Sequence, residues 1–391
     1  MKILTFSTLF PNEVFPNHGI FVEQRLKQLR AYAPQLNVQV MAPVPWFPFA
    51  GERFGDYGKY ATVPENETRF NTLISHPRYP VIPKIGMSIA PTLLYLAVKS
   101  KVKQLIESGF DFDLIDAHYF YPDGVAAVML GKKFNKPVVI TARGSDVNLL
   151  PEYRIPRKQI IWAAQGARHC ITVAAALKQR MSQLGIDAGK ITVLRNGVDC
   201  SLFKPVDDRE ILRDRFGIRG VTLLSVGNLV ELKGHHLVIE SLLDLPDVSL
   251  LIAGSGPLQK QLELLIDRHG LQDRVQLLGR LEQSKLVDYF AAADALVLAS
   301  SREGWANVLL ESMACGTPVV ATAVGGTPEV VSASEAGLLI KERSAKGISQ
   351  AVAHLLSNYP DRKLTRAYAE AFSWDETSQG QLSLFGQIKA A

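Results

Sequence analysis

Two glutamates, a lysine and a helix start concentrate the chemistry of this chain. Glu303 and Glu311 lie in the stretch SSREGWANVLLESMACGTPVVATAVGGTPEVV, residues 300–331. Glu303 falls in a loop after an apolar strand, and Glu311 in the opening turns of a helix that starts near Asn307. The backbone amides of Ala306, Asn307 and Val308 have no partners within such a helix, and they carry about half a positive charge between them. A diphosphate suits that position. An ionised glutamate only accepts hydrogen bonds, so Glu311 pairs well with two adjacent hydroxyls, as on a ribose, each bond contributing about 1.5–3 kcal/mol. In VGNLVELKG (226–234), Gly227 and Gly234 flank a loop that delivers Lys233, a point charge suited to phosphate. AGSGP (253–257) adds a glycine-rich turn whose amides, beginning at Gly254, can face an anion. Plainer readings exist for each: a solvated lysine near a helix start, and a surface glutamate complementing the helix dipole. No GxGxxG with a downstream acid follows any strand, which counts against a nicotinamide-dependent oxidoreductase.

These residues need a scaffold. The chain has 391 residues, 47% of them apolar and 21% charged, enough for two globular domains. Short apolar runs at Lys2–Ser7, Val38–Ala42, Leu114–His118, Pro137–Ala142, Arg168–Val173 and Ile191–Leu194 predict strands, with helices such as Phe21–Tyr32 and Ile89–Ser108 between them. The pattern restarts with strands at Val221–Val226, Ser249–Ala253, Val275–Leu277, Ala295–Leu298, Pro318–Ala321 and Gly337–Ile340. Helices fit Gly234–Leu243, Leu258–His269, Ser284–Ala292, Val308–Cys315, Thr327–Ser332 and Ala345–Asn358. Alternation of this kind predicts an α/β fold of two doubly wound parallel sheets. The Asn-Gly and Pro breakers of Asn196–Pro205 mark the join. The expected domains are 1–198, 199–373, and a terminal helix over 374–391 that packs back across either domain.

One region breaks the rhythm. Residues 43–83 are long, aromatic and proline-rich, with Trp46, Phe47, Phe49, Phe54 and Tyr57 set among Arg53, Lys59, Arg78 and Lys84. Such a loop either covers a sheet edge or offers rings and cations to a sugar or a lipid headgroup.

Charge is unevenly placed. Residues 1–200 hold 24 lysines and arginines against 15 acids, for +9, and the remainder 19 against 23, for −4. A basic first half favours an anionic partner, such as a membrane surface or a phosphorylated substrate, or is simply a solvated surface. The three cysteines stand apart with no CxxC or Cys/His cluster, which counts against a disulfide framework and a structural zinc site and fits a reducing compartment. The early apolar run ILTFSTLF is too short for a signal-peptide core. The longest apolar stretch, Pro80–Val98, is interrupted by Pro83, Lys84 and Pro91, so no span of about 20 clean apolar residues exists. No helix-turn-helix, RNP or zinc-finger pattern points to nucleic acid.

Residues 303–311 form an E-x7-E motif, and the 300–331 stretch resembles the donor-site signature of the family 4 glycosyltransferases. VGNLVELKG and LRNGVD (194–199) resemble two more segments of that family. The N-terminal LFPNEVFPNHGIFVEQ resembles its bacterial exopolysaccharide and teichuronic acid branch. The resemblance implies a GT-B fold with two Rossmann-like domains facing a central cleft, a nucleotide-sugar donor with UDP favoured over GDP, and retention of anomeric configuration. It implies that Lys233 binds the donor diphosphate and that Glu311 binds the ribose. Glu303, with the backbone at Gly304, Trp305, Ala306 and Asn307, would hold the donor sugar. Gly279 and Arg280 match the family's base-binding turn, Gly19 the glycine that lets the donor phosphate approach, and His118 the histidine near the transferred sugar.

One position departs from the pattern. Asn228 stands where the family often has an arginine, five residues before the lysine, and Arg143, Arg195 or Arg302 are the candidates to replace that charge. Trp46, Phe47, His118 and Asp146, with Asp123, are the candidate acceptor contacts. The expected acceptor is a glycan or a polyprenyl-diphosphate-linked oligosaccharide in surface polysaccharide synthesis. The enzyme would be cytoplasmic, peripheral at the inner membrane face, with no metal and no cofactor beyond its donor substrate. A non-catalytic nucleotide-sugar-binding protein is the alternative that Asn228 raises.

Overall fold

The structure is a computed structural model that describes residues 1–51, 53, 55–82 and 86–390. Phe54, Pro83 and Lys84 of the aromatic, basic segment lie outside the described residues. The chain divides into two compact units, one formed by Met1–Arg195 with the segment from Trp374 onward, the other by Asn196–Ser373.

In the first unit the strands among the described residues are β1 (Lys2–Phe6), β2 (Asn37–Met41), β3 (Val44–Trp46), β4 (Asn66–Arg69), β5 (Thr72–Ser75), β6 (Arg78–Pro80), β7 (Leu114–His118), β8 (Val138–Ala142), β9 (His169–Thr172) and β10 (Ile191–Val193). Eight of them form a sheet in the order β10-β9-β8-β7-β1-β2-β5-β4, and β3 pairs with β6 alone. The sheet is parallel except for the β4–β5 hairpin at its edge. Phe70 and Asn71 at the turn of that hairpin both have positive φ, 48° and 55°, the conformation that a two-residue connection between twisted strands demands. Residues 43–83, expected as a loop, therefore contain strands and a short helix, Gly55–Tyr60. The strands are only three or four residues long and carry Pro45 and Pro80, which hides them from a periodicity argument.

The second unit contains β11 (Val221–Val226), β12 (Val248–Ala253), β13 (Val275–Gly279), β14 (Ala295–Leu298), β15 (Val319–Thr322) and β16 (Gly337–Ile340), all parallel, in the order β13-β12-β11-β14-β15-β16. Leu223, Leu250, Leu296, Val297 and Val320 are fully buried, as strands covered by helices on both faces require. Each such side chain contributes roughly 1.5–3 kcal/mol by leaving water.

The last helix, Trp374–Ala390, belongs to the first unit, where Phe385 and Ile388 join Ile3, Val22, Leu114 and Val139 in one core. Among the described residues no helix is long and apolar enough to cross a membrane.

Strand order now locates the chemistry. In an open parallel sheet, ligands bind beyond the carboxyl ends of the strands where the winding reverses. In the second unit that point lies between β11 and β14, and in the first between β1 and β7.

Candidate functional site

At the second unit's switch point the loop after β11 and the loop after β14 meet. Lys233 ends a short 3-10 turn, Glu231–Lys233, and its Nζ donates to Glu303 Oε1 at 2.6 Å. The lysine side chain is 23% exposed and the glutamate 11%, so the pair is largely sheltered yet open to a ligand. Ser301 N–H donates to the carbonyl of Leu232 at 2.8 Å and ties the two loops together. Gly234 follows with φ 69°, and a Cβ there would collide with the Ala299 carbonyl oxygen. Gly227 leaves space that the Lys233 stem fills, a Cβ there meeting its Cγ, Cδ and Cε at 3.5 Å.

The helix that carries Glu311 runs Asn307–Ala314, and no side chain caps its start. Asn307 Oδ1 instead accepts from Asn196 Nδ2 at 3.1 Å, which joins the LRNGVD segment to the helix start. Glu311 is half-buried, and burial pushes its carboxyl up to about 7, opposed by a 3.4 Å bond from Gln283 Nε2. Gln283 was not singled out in the sequence, nor was Arg343. Arg343 Nε donates to the Ala299 carbonyl at 2.8 Å and its Nη2 to the Glu231 carbonyl at 3.4 Å, bracing the lysine turn from behind. His235, the residue after Gly234, pairs with Ser225 Oγ at 3.0 Å, and burial lowers its imidazole to about 4.

Other expected donor contacts have different work. The Gly254 amide is already spent on the Gly279 carbonyl at 2.8 Å, and Leu258 N–H on the Leu229 carbonyl at 3.1 Å. The AGSGP turn is glycine-rich because Gly254 and Gly256 pack against the backbone of Gly227 and Leu229, so it shapes the Asn228 loop rather than offering those amides to an anion. The Trp305 ring is buried against Phe372 at 6.3 Å, and only its backbone borders the loop of Glu303 and Gly304. Val308 follows Asn307 in the first turn, and Asn228, Arg280 and Arg302 are exposed.

In the first unit, β7 ends on His118, and both of its ring nitrogens are occupied. Nε2 lies 3.2 Å from Asp116 Oδ2, and Nδ1 lies 2.6 Å from Arg143 Nη2. Guanidinium donates only, so Nδ1 is the acceptor and the proton sits on Nε2, facing the carboxylate. The ring is 2% exposed, and burial lowers its pKa, with Asp116 opposing. Burial likewise lowers the Arg143 guanidinium to about 9, and its cation lies 5.3 Å from the Phe21 ring centre.

Asp146, expected at the acceptor, is fully buried and accepts the backbone amides of Phe120 (2.9 Å), Arg143 (3.1 Å) and Gly144 (2.7 Å). It organises the loops after β7 and β8 instead of meeting solvent. Asp123 is also buried; it accepts from Thr8 N at 3.0 Å and Thr8 Oγ1 at 3.1 Å, and burial raises it to about 7. Gly19 has φ 67°, and its missing Cβ would overlap the Leu9 carbonyl, so only glycine lets the helix Ile20–Tyr32 start this close to the loop after β1. Arg195 is exposed, and its carbonyl accepts from Thr377 Oγ1. Trp46 is 53% exposed at the end of β3, and Phe47 packs against Tyr57 at 5.6 Å. The structure thus brings Lys233 to Glu303 and His118 to Arg143.

Comparison with known proteins follows the same division. Residues 27–202 match the profile of Glycosyltransferase Family 4, and residues 208–372 that of Glycosyl transferases group 1. The chain is 30% identical over 363 residues to a putative teichuronic acid biosynthesis glycosyltransferase of Bacillus subtilis, covering 90% of this chain and 88% of the relative. It is 29% identical over 301 residues to a D-inositol 3-phosphate glycosyltransferase of Xylanimonas cellulosilytica, covering 71% of this chain and 72% of the relative. Among solved structures it resembles a sucrose-phosphate synthase from Thermosynechococcus elongatus (TM-score 0.82, 20% identity, 100% of both chains). It also resembles the Anabaena protein HepE in complex with UDP (TM-score 0.74, 22% identity, 99% of this chain and 100% of that one).

Proposed function

Because the chain belongs to the family 4 glycosyltransferases of GT-B fold, we propose that it moves a hexosyl group from a nucleotide-sugar to a glycan or polyprenyl-diphosphate-linked acceptor, with retention and without a bound metal. The observation that carries this reading is the sheltered Lys233–Glu303 pair beside the uncapped start of the Asn307–Ala314 helix, at the sheet's switch point. UDP is the favoured nucleotide of the donor, in keeping with the UDP held by HepE. A role in surface polysaccharide synthesis draws support from the teichuronic acid relative.

An ammonium has three N–H donors, so Lys233 can keep Glu303 and still reach a phosphate oxygen. Glu303 then meets a sugar hydroxyl, Glu311 the ribose, and the turn at Gly279 and Arg280 the base. The bond from the anomeric carbon to the diphosphate breaks, and negative charge builds on the leaving group. Lys233 and the amides of Asn307 and Val308 stabilise it, each such donor being worth about 2.7–4 kcal/mol in the transition state. The acceptor oxygen forms the new glycosidic bond on the same face, and its proton passes to the departing phosphate oxygen. No protein nucleophile is needed. With Nε2–H committed to Asp116, the His118 ring has its Nδ1 lone pair to offer, and a sugar hydroxyl must compete with Arg143 for it.

The basic first half favours work against an anionic membrane, at its cytoplasmic face. A panel of nucleotide-sugars tested by thermal shift examines the donor assignment, since a ligand at 100 times its Kd stabilises by about 2.7 kcal/mol. A UDP-sugar is expected to raise Tm in the wild type and much less in Lys233→Ala. No shift with any nucleotide-sugar, or equal shifts in both proteins, overturns the reading.

A further inference from the structure

We infer that Gln381, on the last helix, is a positioning residue that holds the Asp116 carboxylate and, through it, sets the charge of His118. The inference rests on the reading that His118 serves the transferred sugar. Gln381 is fully buried in the first unit. Its Oε1 accepts from Arg25 Nε at 2.8 Å, and its Nε2 donates to Asp116 Oδ2 at 3.2 Å. The amide orientation follows from its neighbours: guanidinium can only donate and an ionised carboxylate can only accept, so the amide oxygen faces Arg25 and the nitrogen faces Asp116.

The oxygen that Gln381 holds is the one that receives His118 Nε2–H. A buried chain of fixed donors therefore runs from Arg25 through Gln381 to Asp116 and His118, and Arg143 closes it by donating to Nδ1. Asp116 Oδ1 makes no hydrogen bond among the described residues, so Oδ2 carries the contacts that orient the carboxylate. Charged groups reach this centre from several elements: Asp116 from β7, Arg143 from the loop after β8, Arg25 from the first helix, Asp146 through the Phe120 and Arg143 amides, and Asp123 through the Ser7 hydroxyl, which also reaches the His118 carbonyl. Gln381 is the neutral member. It lends the carboxylate a hydrogen bond without adding charge, so Asp116 stays ionised and the imidazole keeps one proton, on Nε2. Without that donor the carboxylate is less well solvated, and the Asp116–His118 pair gains affinity for a second proton.

The test uses the full chain labelled at its histidine nitrogens, with the His118 signals assigned by their loss in His118→Ala. In the wild type the ring is expected as the neutral Nε2–H form throughout the neutral range. In Gln381→Leu the midpoint of His118 should rise by about one pH unit, a tenfold change in its charge ratio, while Arg143 keeps the neutral ring in its Nε2–H form. Transfer should fall through kcat with the donor KM unchanged, and its acid limb should move up with the NMR midpoint. Gln381→Glu keeps an acceptor for Arg25, but burial beside Asp116 favours its protonated form, which can still donate. Gln381→Met lacks the donor at any pH, so it gives the same direction of shift and serves if the leucine variant does not fold. A folded variant whose His118 spectra and pH profile superimpose on the wild type overturns the inference. Wild-type transfer by His118→Ala refutes the sugar-facing role of the histidine instead, and leaves the NMR comparison to judge Gln381 on its own.

Discussion

Gly325 tests the lysine–glutamate site without touching either charge. It lies in the loop after β15 with φ 54°, and a Cβ built there sits 1.9 Å from the carbonyl oxygen of Glu303. Real Cβ atoms stay beyond about 3.0 Å, so in Gly325→Ala the two backbones must separate by roughly 1.1 Å. Neither partner is a flexible side chain, so the 303 loop itself has to move. The Lys233–Glu303 bond, now 2.6 Å, moves with it. A misplacement of about 1 Å in a catalytic group costs on the order of 10²-fold in rate. Overpacking removes about 1–3 kcal/mol of stability, and Tm falls about 2–4 °C per kcal/mol for a unit of this size.

Gly270→Ala is the control. Its φ is 64°, but nothing lies within 4 Å of its built Cβ, so it carries the left-handed backbone strain alone. Steady-state transfer with the donor found by thermal shift, alongside melts of both variants, is the assay. Gly325→Ala should lose about 10²-fold in kcat/KM while Gly270→Ala matches the wild type. Equal rates in the two variants, both folded, would refute the claim that Glu303 must sit where it does.

On the proposed reading, Lys233→Ala and Glu311→Ala should each reduce transfer at least about tenfold while both proteins stay folded, because neither side chain belongs to the hydrophobic core. Wild-type rates in both purified variants would remove the site. Burial lifts the Glu311 carboxyl to about 7, above its unfolded value, so its protonated form favours the folded chain at low pH and that contribution is lost as pH rises through about 7. Nucleotide binding wants the ionised form as acceptor for two hydroxyls, so calorimetric affinity should strengthen from pH 6 to pH 8, and Glu311→Gln should flatten the profile. A wild-type affinity independent of pH would contradict ribose recognition by this carboxylate. Cosedimentation with anionic vesicles should be strong at low salt and fall as salt rises; absence of binding at every ionic strength would refute membrane docking by the basic half.

The alternation of apolar strands and helices was legible because parallel strands buried on both faces read as unbroken Val, Ile and Leu runs, and β11–β16 appear within two residues of their expected places. Lys233 and Glu303 were legible because both follow such strands at a switch point. The short strands of residues 43–83 were not, since three-residue strands with proline leave no period to detect. Asp146 read as a ligand contact because nothing local reveals that its oxygens are spent on Phe120, Arg143 and Gly144 amides. Gln381 was invisible for a different reason: its partner Asp116 lies 265 positions away, on another element.

The route of the last helix has a consequence for synthesis. The unit spanning Asn196–Ser373 is continuous, so it can close as soon as it leaves the ribosome. The first-made unit cannot, because Phe385 and Ile388 complete its interior and Gln381 its buried charge chain. Residues 1–195 must therefore wait, partly open, for the helix Trp374–Ala390 to emerge. A nascent chain stalled before Trp374 should expose that unfinished half to proteases while its later-made neighbour is already resistant.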